Sequence, residues 1–222
     1  MAEARLRELI REPWSSYEEA KSRSETIDAL LGVQIERAEV SAREASISKA
    51  DWSHLSAQAF QTPYPELHQI LQHFAGDPPL RWVDFGCAYG RMGLIVDWFR
   101  PEDRWRGFEY VEARVAEGNR VLRSWCSEHP RIEKVDLNQN FEIPEFDVGF
   151  LFDFGSVSEI SAFLRRLREQ VASKPISMIG RGRATRHLIA TEHAWLSQVE
   201  EPYHTEHWSL YRSSTDSRGG RV

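Results

Sequence analysis

Trp82-Val83-Asp84-Phe85-Gly86-Cys87-Ala88-Tyr89-Gly90-Arg91-Met92-Gly93 is the stretch whose reading decides the fold. Leu80, Trp82, Val83 and Phe85 have the composition of a short buried strand. Gly86, Ala88 and Gly90 let the backbone bend sharply and approach a ligand. Met92, Leu94, Ile95, Trp98 and Phe99 then fall at helical spacing. A strand, a glycine turn and a helix leave free backbone N–H groups at the helix mouth, where a ligand rich in hydrogen-bonding groups can sit. At Ala88 a methyl group is tolerated if φ stays negative, and it narrows the space beside the ligand.

Two uses of such a turn are set aside by spacing. A phosphate-binding P-loop needs Gly-Lys-Ser/Thr after its first glycine, and Arg91 stands five residues after Gly86 instead. A dinucleotide fingerprint needs three glycines, and Ala88 and Arg91 occupy the second and third positions. Downstream, Trp105 to Tyr110 reads as a second strand ending in an acid, Glu109, twenty-five residues past Asp84. A carboxylate at about that distance, roughly 20 residues in nucleotide folds, can accept hydrogen bonds from both hydroxyls of a ribose. Arg131 to Leu137 reads as strand three, with Asp136 at its end. Aspartate before a turn is also common for local reasons, so Asp136 supports a ligand role and a turn role equally. Phe146 to Phe152 reads as strand four, running into Asp153-Phe154-Gly155.

These motifs resemble the class I S-adenosylmethionine-dependent methyltransferases. Asp84-Phe85-Gly86-Cys87-Ala88-Tyr89-Gly90 is similar to their acid-x-Gly-x-Gly-x-Gly first motif, departing at Ala88. Glu109 matches their second acid, and Asp136 and Leu137 match the places that face adenine. The resemblance implies S-adenosyl-L-methionine as cofactor, held by Asp84, Gly86, Cys87, Ala88, Gly90, Glu109, Tyr110, Asp136 and Leu137, with three strand tips converging on one adenosyl-shaped hollow. Tyr64, in Gln61-Thr62-Pro63-Tyr64-Pro65-Glu66, matches a segment that touches the methionine end in several groups. Thr62 shares that place, and loop stiffness is the competing reading of both. A looser likeness is to the histone-lysine methyltransferases of the telomeric-silencing-disruptor type. Phe152-Asp153-Phe154-Gly155 lacks their Asn, so only cofactor binding carries over.

The implied activity is methyl transfer to a nitrogen or oxygen nucleophile of a protein or small molecule. A nucleophile must present a free lone pair, which calls for a base. Asp153 is the candidate, with Tyr64, Tyr203 and His204 behind it. Strand four carries neither the Asn/Asp-Pro-Pro-Tyr signature of base-amino methylases nor a Pro-Cys nucleophile. A fold retained for binding S-adenosylmethionine without turnover is the alternative. A nicotinamide oxidoreductase is disfavoured by the glycine spacing.

The chain has 222 residues, enough for one α/β domain with an extension. Its net charge of −6 gives no overall attraction to nucleic-acid phosphates, so nucleic acid is not the expected partner. Cys87 and Cys126 lack metal-ligand spacing and suit a reducing compartment, and no metal is expected. No apolar signal segment or membrane-length run is present, so a cytoplasmic protein off the membrane is expected. Arg181, Arg183 and Arg186 follow strand five and read either as a solvated face or as an attractor of an anionic substrate.

The layout predicts a Rossmann-like α/β fold. Its seven-stranded, mostly parallel sheet lies between helices. Residues 1–60 are an expected helical extension, 61–213 the cofactor-binding domain and 214–222 a mobile tail. Ser16-Tyr17-Glu18-Glu19 caps a long amphipathic helix with apolar residues from Tyr17 to Ala45, which Gly32 kinks or splits. Its stripe needs a partner surface: the main domain, the cofactor as a lid, or a second copy. The last two strands are expected at Gln198–Glu201 and His207–Arg212, turning at Pro202.

Overall fold

The computed structural model describes residues 2–45, 61–127, 131–171 and 174–213. Residues 46–60 of the expected extension and the expected tail, 214–222, lie outside the described residues. The described strands are β1 (Arg81–Phe85), β2 (Arg104–Glu109), β3 (Arg131–Lys134), β4 (Val148–Leu151), β5 (Ser177–Arg181), β6 (Tyr203–His204) and β7 (Trp208–Arg212). They form a seven-stranded sheet in the order β3-β2-β1-β4-β5-β7-β6. The pairs β2–β3, β1–β4 and β4–β5 are parallel, whereas β7 runs antiparallel to β5 and β6. This is the Rossmann-like, mostly parallel sheet that the sequence predicts. The chain packs as two compact units, Met1–Pro79 with Cys87–Lys134, and Leu80–Gly86 with Val135–Val222.

The first unit carries the N-terminal helices α1 (Ala2–Arg11), α2 (Tyr17–Leu31) and α3 (Ile35–Ala45). Ser16 caps α2 by accepting from the Glu19 amide at 3.2 Å. The long amphipathic pattern is cut at Gly32, which takes φ 73° and lets its amide donate to the Ala29 carbonyl. A left-handed glycine after the last turn satisfies orphan carbonyls and re-aims the chain. The same unit holds α4 (Tyr64–Gln72), α5 (Arg91–Phe99) and α6 (Glu112–Trp125). Helices α1 and α2 pack on α4, and α3 packs on α6. The apolar stripe of the extension, with Ala20, Ile27, Leu31 and Ala38 buried, is thus covered within this unit. Helix α4 starts at Tyr64, inside the proline-punctuated segment. Pro63 and Pro65 suit a first turn, whose amides need no intrahelical acceptor.

A buried polar network joins these helices. Arg91, the first residue of α5, pairs with Asp28 of α2, with only 5% and 6% of the two side chains exposed. Arg91 also donates to the Thr62 carbonyl at 3.1 Å and stacks over the Tyr64 ring at 4.9 Å. The Tyr64 hydroxyl donates to Asp28 at 2.9 Å, and its amide donates to the Ser24 hydroxyl at 2.9 Å.

In the second unit, Val148 to Leu151 is buried on both faces, as befits a central parallel strand. Helix α7 (Val157–Val171) covers it with Ile160, Phe163, Leu164 and Leu167 fully buried. Phe85 meets the Phe163 ring at 4.9 Å and the Phe146 ring at 5.8 Å. Helix α8 (Arg183–Glu192) directly follows Gly182 at the end of β5. The first arm of the terminal hairpin is Tyr203–His204, not Gln198–Glu201. Pro202 has no amide to give a ladder, so pairing starts only past it. Among the described residues, no helix is long and apolar enough to cross a membrane.

Breaking a buried ion pair strands its partner, whereas breaking a surface pair costs little. Asp28→Ala is expected to lower the unfolding free energy by about 3–5 kcal/mol in urea titration. Glu133→Ala, removing the partner of Arg106 in a pair 49% and 39% exposed, is expected to cost under about 1 kcal/mol.

Candidate functional site

The turn after β1 alternates left-handed residues: Gly86 has φ 85°, Ala88 φ 48° and Gly90 φ 77°. Ala88 is the only non-glycine residue with positive φ among the described residues, so the condition under which its methyl is tolerated without strain is not met. Three bonds hold the bend: the Cys87 amide donates to the Phe108 carbonyl at 2.9 Å, the Ala88 amide to Glu109 Oε2 at 3.0 Å, and the Gly90 amide to the Cys87 carbonyl at 2.9 Å. The Ala88 methyl and Tyr89 pack with Ala38 of α3. Local packing and a side-chain acceptor therefore outweigh the intrinsic cost of alanine in this region, about 1–2 kcal/mol.

Glu109 ends β2 and is 6% exposed. Its second oxygen, Oε1, accepts from the Val111 amide at 2.8 Å. Burial pushes its carboxyl above the usual carboxylate range, opposed by the nearby Arg114 charge and by the Val111, Ala88 and Tyr110 amides. Both oxygens accept from backbone amides, and since a carboxylate offers about four lone-pair sites, acceptor capacity remains. Beside it, Tyr110 is 59% exposed.

A second layer braces this acid. Arg114 of α6 places Nη1 3.9 Å from Glu109 Oε1. Its guanidinium grips Glu39 of α3 with two bonds, Nε to Oε1 at 2.8 Å and Nη2 to Oε2 at 3.1 Å. The Tyr89 hydroxyl also donates to Glu39 Oε1, at 2.8 Å. Burial pushes the Tyr89 phenol well up, as does its bond to Glu39. Burial would also raise the Glu39 carboxyl, but Arg114 holds it below its ordinary value. No sequence signal links positions 39, 89 and 114, and the reading of the sequence missed all three.

The other expected residues are placed as follows. Cys87 is buried, as is Asp84 near the end of β1. Tyr64 and the Thr62 carbonyl belong to the internal network around Asp28 and Arg91. The Asp136 carboxylate accepts from the Asn138 amide at 2.9 Å, a local turn bond. Leu137 is buried, and its carbonyl accepts from Arg166. Asp153 accepts from the Ala184 amide at 3.1 Å and the Thr185 amide at 2.8 Å, so it caps α8 with both oxygens. Its expected role as a base competes with that cap. Arg181 is buried against the Phe152 ring at 4.5 Å. Arg186 donates to the Ser209 hydroxyl and to the carbonyls of Glu206 and Thr205, whereas Arg183 is exposed. His204 Nδ1 lies 2.7 Å from the same Ser209 hydroxyl, and Tyr203 leans on Trp208.

No protein-family model matches the sequence, and no curated protein does either. The fold does match solved structures. One is a mutant of MtNAS in complex with S-adenosylmethionine, at TM-score 0.54 and 14% identity over 95% of this chain and 88% of that one. A second is an RNA methyltransferase from Salinibacter ruber in complex with S-adenosyl-L-homocysteine, at TM-score 0.53 and 16% identity over 73% and 97%. A third is magnesium protoporphyrin IX methyltransferase from Synechocystis PCC 6803 with bound S-adenosylmethionine, at TM-score 0.51 and 12% identity over 90% and 99%. At such identities the likeness is one of fold.

The left-handed turn discriminates sharply among side chains. Ala88→Val is expected to cost more than about 2 kcal/mol, because a β-branched residue at positive φ is strained. Ala88→Gly should stay within about 1 kcal/mol of the parent, since relief of strain offsets added chain entropy and a lost methyl contact. Thermal or urea unfolding of both variants measures this. The raised Glu109 carboxyl gives a further sign. The folded protein holds a proton that the unfolded chain has released. The stability due to this group is therefore intact below the unfolded pKa and is lost as pH rises through the folded one. Glu109→Gln should show a smaller stability loss than the parent as pH rises above the ordinary carboxylate range.

Proposed function

We propose that this chain is an S-adenosylmethionine-dependent methyltransferase acting on a nitrogen or oxygen nucleophile of a protein or small molecule. The observation that carries the reading is Glu109, a buried carboxylate at the tip of β2 whose backbone donors leave acceptor capacity. That donor set fits a ribose diol, which offers two hydroxyl hydrogens, and an anion here repels a 2′-phosphate. The support is a fold similar to that of proteins crystallised with S-adenosylmethionine or S-adenosylhomocysteine.

In this reading Glu109 accepts from the ribose, and the backbone of Cys87, Ala88 and Gly90 lies along the ligand. Tyr110 offers an exposed ring beside the nucleoside. Tyr64 acts from behind, fixing the Thr62–Tyr64 segment through Asp28 and Arg91. The bound sulfonium supplies an already electrophilic methyl group. The chain's own part is then to orient the acceptor, exclude water and receive a proton where the nucleophile carries one. The likeness to the histone-lysine enzymes is carried only as far as cofactor binding.

A second reading, a binding module without turnover, is favoured by one observation: each oxygen of the expected base, Asp153, is bonded to an amide of α8, so uptake of a substrate proton competes with that cap. Calorimetric titration and a labelled-methyl assay separate the two. S-adenosylhomocysteine should bind and NAD should not. Glu109→Ala should weaken S-adenosylhomocysteine by about 10- to 100-fold, the worth of roughly 1.5–3 kcal/mol of hydrogen bonding to a charged group. Labelled methyl donor with fractionated extract should mark the protein or small-molecule fraction. Label in the RNA fraction would correct the acceptor class, binding without label would support the module, and no binding would overturn both readings.

A further inference from the structure

Glu109 faces few charges. From α6 comes Arg114, and behind Arg114 stand Glu39 and Arg43 of α3 and the Tyr89 phenol. The remaining nearby pair, Glu112 with Lys134 at 2.6 Å, is 69% and 55% exposed and is screened by water. Among the described residues, Arg114 therefore supplies the buried positive charge beside this acid, with 11% of its side chain exposed. It approaches Glu109 without a hydrogen bond, at 3.9 Å, while both of its bonds to carboxylate go to Glu39. The arrangement leaves the lone pairs of Glu109 open to a ligand and still places a cation beside them. A direct bidentate pair with Glu109 would consume those lone pairs, so Glu39 acts as the anchor that keeps the guanidinium at one remove.

We infer that Arg114, anchored by Glu39, is a positioning residue that keeps Glu109 ionised and open for the ribose hydroxyls. The inference rests on the proposed cofactor reading. A neutral Glu109 would turn one oxygen into a donor and lose acceptor capacity for the diol. Burial alone drives the acid toward that neutral state, and the neighbouring guanidinium opposes it. A merely structural Arg114, joining α3 to α6, would affect folding without moving the titration of Glu109.

Two measurements on the full chain test this: 13C NMR titration of the Glu109 carboxyl in the free protein, and S-adenosylhomocysteine affinity by calorimetry over the same pH range. In Arg114→Gln the Glu109 midpoint should rise by about one pH unit or more. Affinity should fall about tenfold at a pH below the new midpoint and recover toward the parent's value above it. Arg114→Lys keeps the charge and should return the midpoint close to the parent's, and it also serves if the glutamine variant does not fold. An unchanged Glu109 midpoint in Arg114→Gln overturns the inference, as does an affinity loss of equal size at every pH. A parent that binds no S-adenosylhomocysteine at any pH, with the midpoints shifting as expected, overturns the cofactor reading and the purpose assigned to Arg114, while leaving their electrostatic coupling.

Discussion

A single carboxylate, Glu109, ties the glycine turn to the strand beside it. Its two oxygens take the Ala88 and Val111 amides, one on each side of the β2 tip. Taking a charge out of water is costly unless hydrogen bonds and a counter-charge replace the lost solvent. Here the Val111, Ala88 and Tyr110 amides and the Arg114 guanidinium offset that cost in part, and burial still raises the carboxyl. The arrangement works in both directions. The turn amides stabilise the acid, and the acid holds Ala88 in a backbone conformation that alanine rarely adopts. The site is thus pre-organised by a bond within the protein before any ligand arrives.

The N-terminal helices enter this picture through two separate polar links within the first unit. Asp28 of α2 receives Arg91, the residue that starts the helix after the turn. Glu39 of α3 receives Arg114, one turn into the helix after Glu109. Both links meet a helix near the point where it leaves the sheet. The extension is better described as the outer half of the site's support than as an appendage. The break at Gly32 makes this possible, because it lets α2 and α3 reach α4 and α6 separately.

How much was legible in the sequence follows from the range of each interaction. The turn, the acid at the end of β2 and the split at Gly32 are encoded within a few residues, and the structure has them where local rules put them. The mostly parallel sheet follows from alternating strands and helices. The positive φ at Ala88 is not legible locally, because the acceptor that pins its amide lies 21 residues away. Asp153 looked available because its partners, Ala184 and Thr185, lie about thirty residues downstream. The Glu39–Arg114 clamp spans 75 residues and leaves no periodic trace, since both side chains sit among other charged residues on helices. The terminal hairpin moved by several residues because the missing amide of Pro202 overrode hydrophobic patterning.

The most direct test of the central claim is a crystal structure of the full chain with S-adenosylhomocysteine. It should show the ribose hydroxyls donating to Glu109, with the Ala88 and Val111 amides still bonded to the same carboxylate. A ligand bound elsewhere, or a Glu109 carboxylate that keeps only its protein partners while the ribose is held by other groups, would contradict the account.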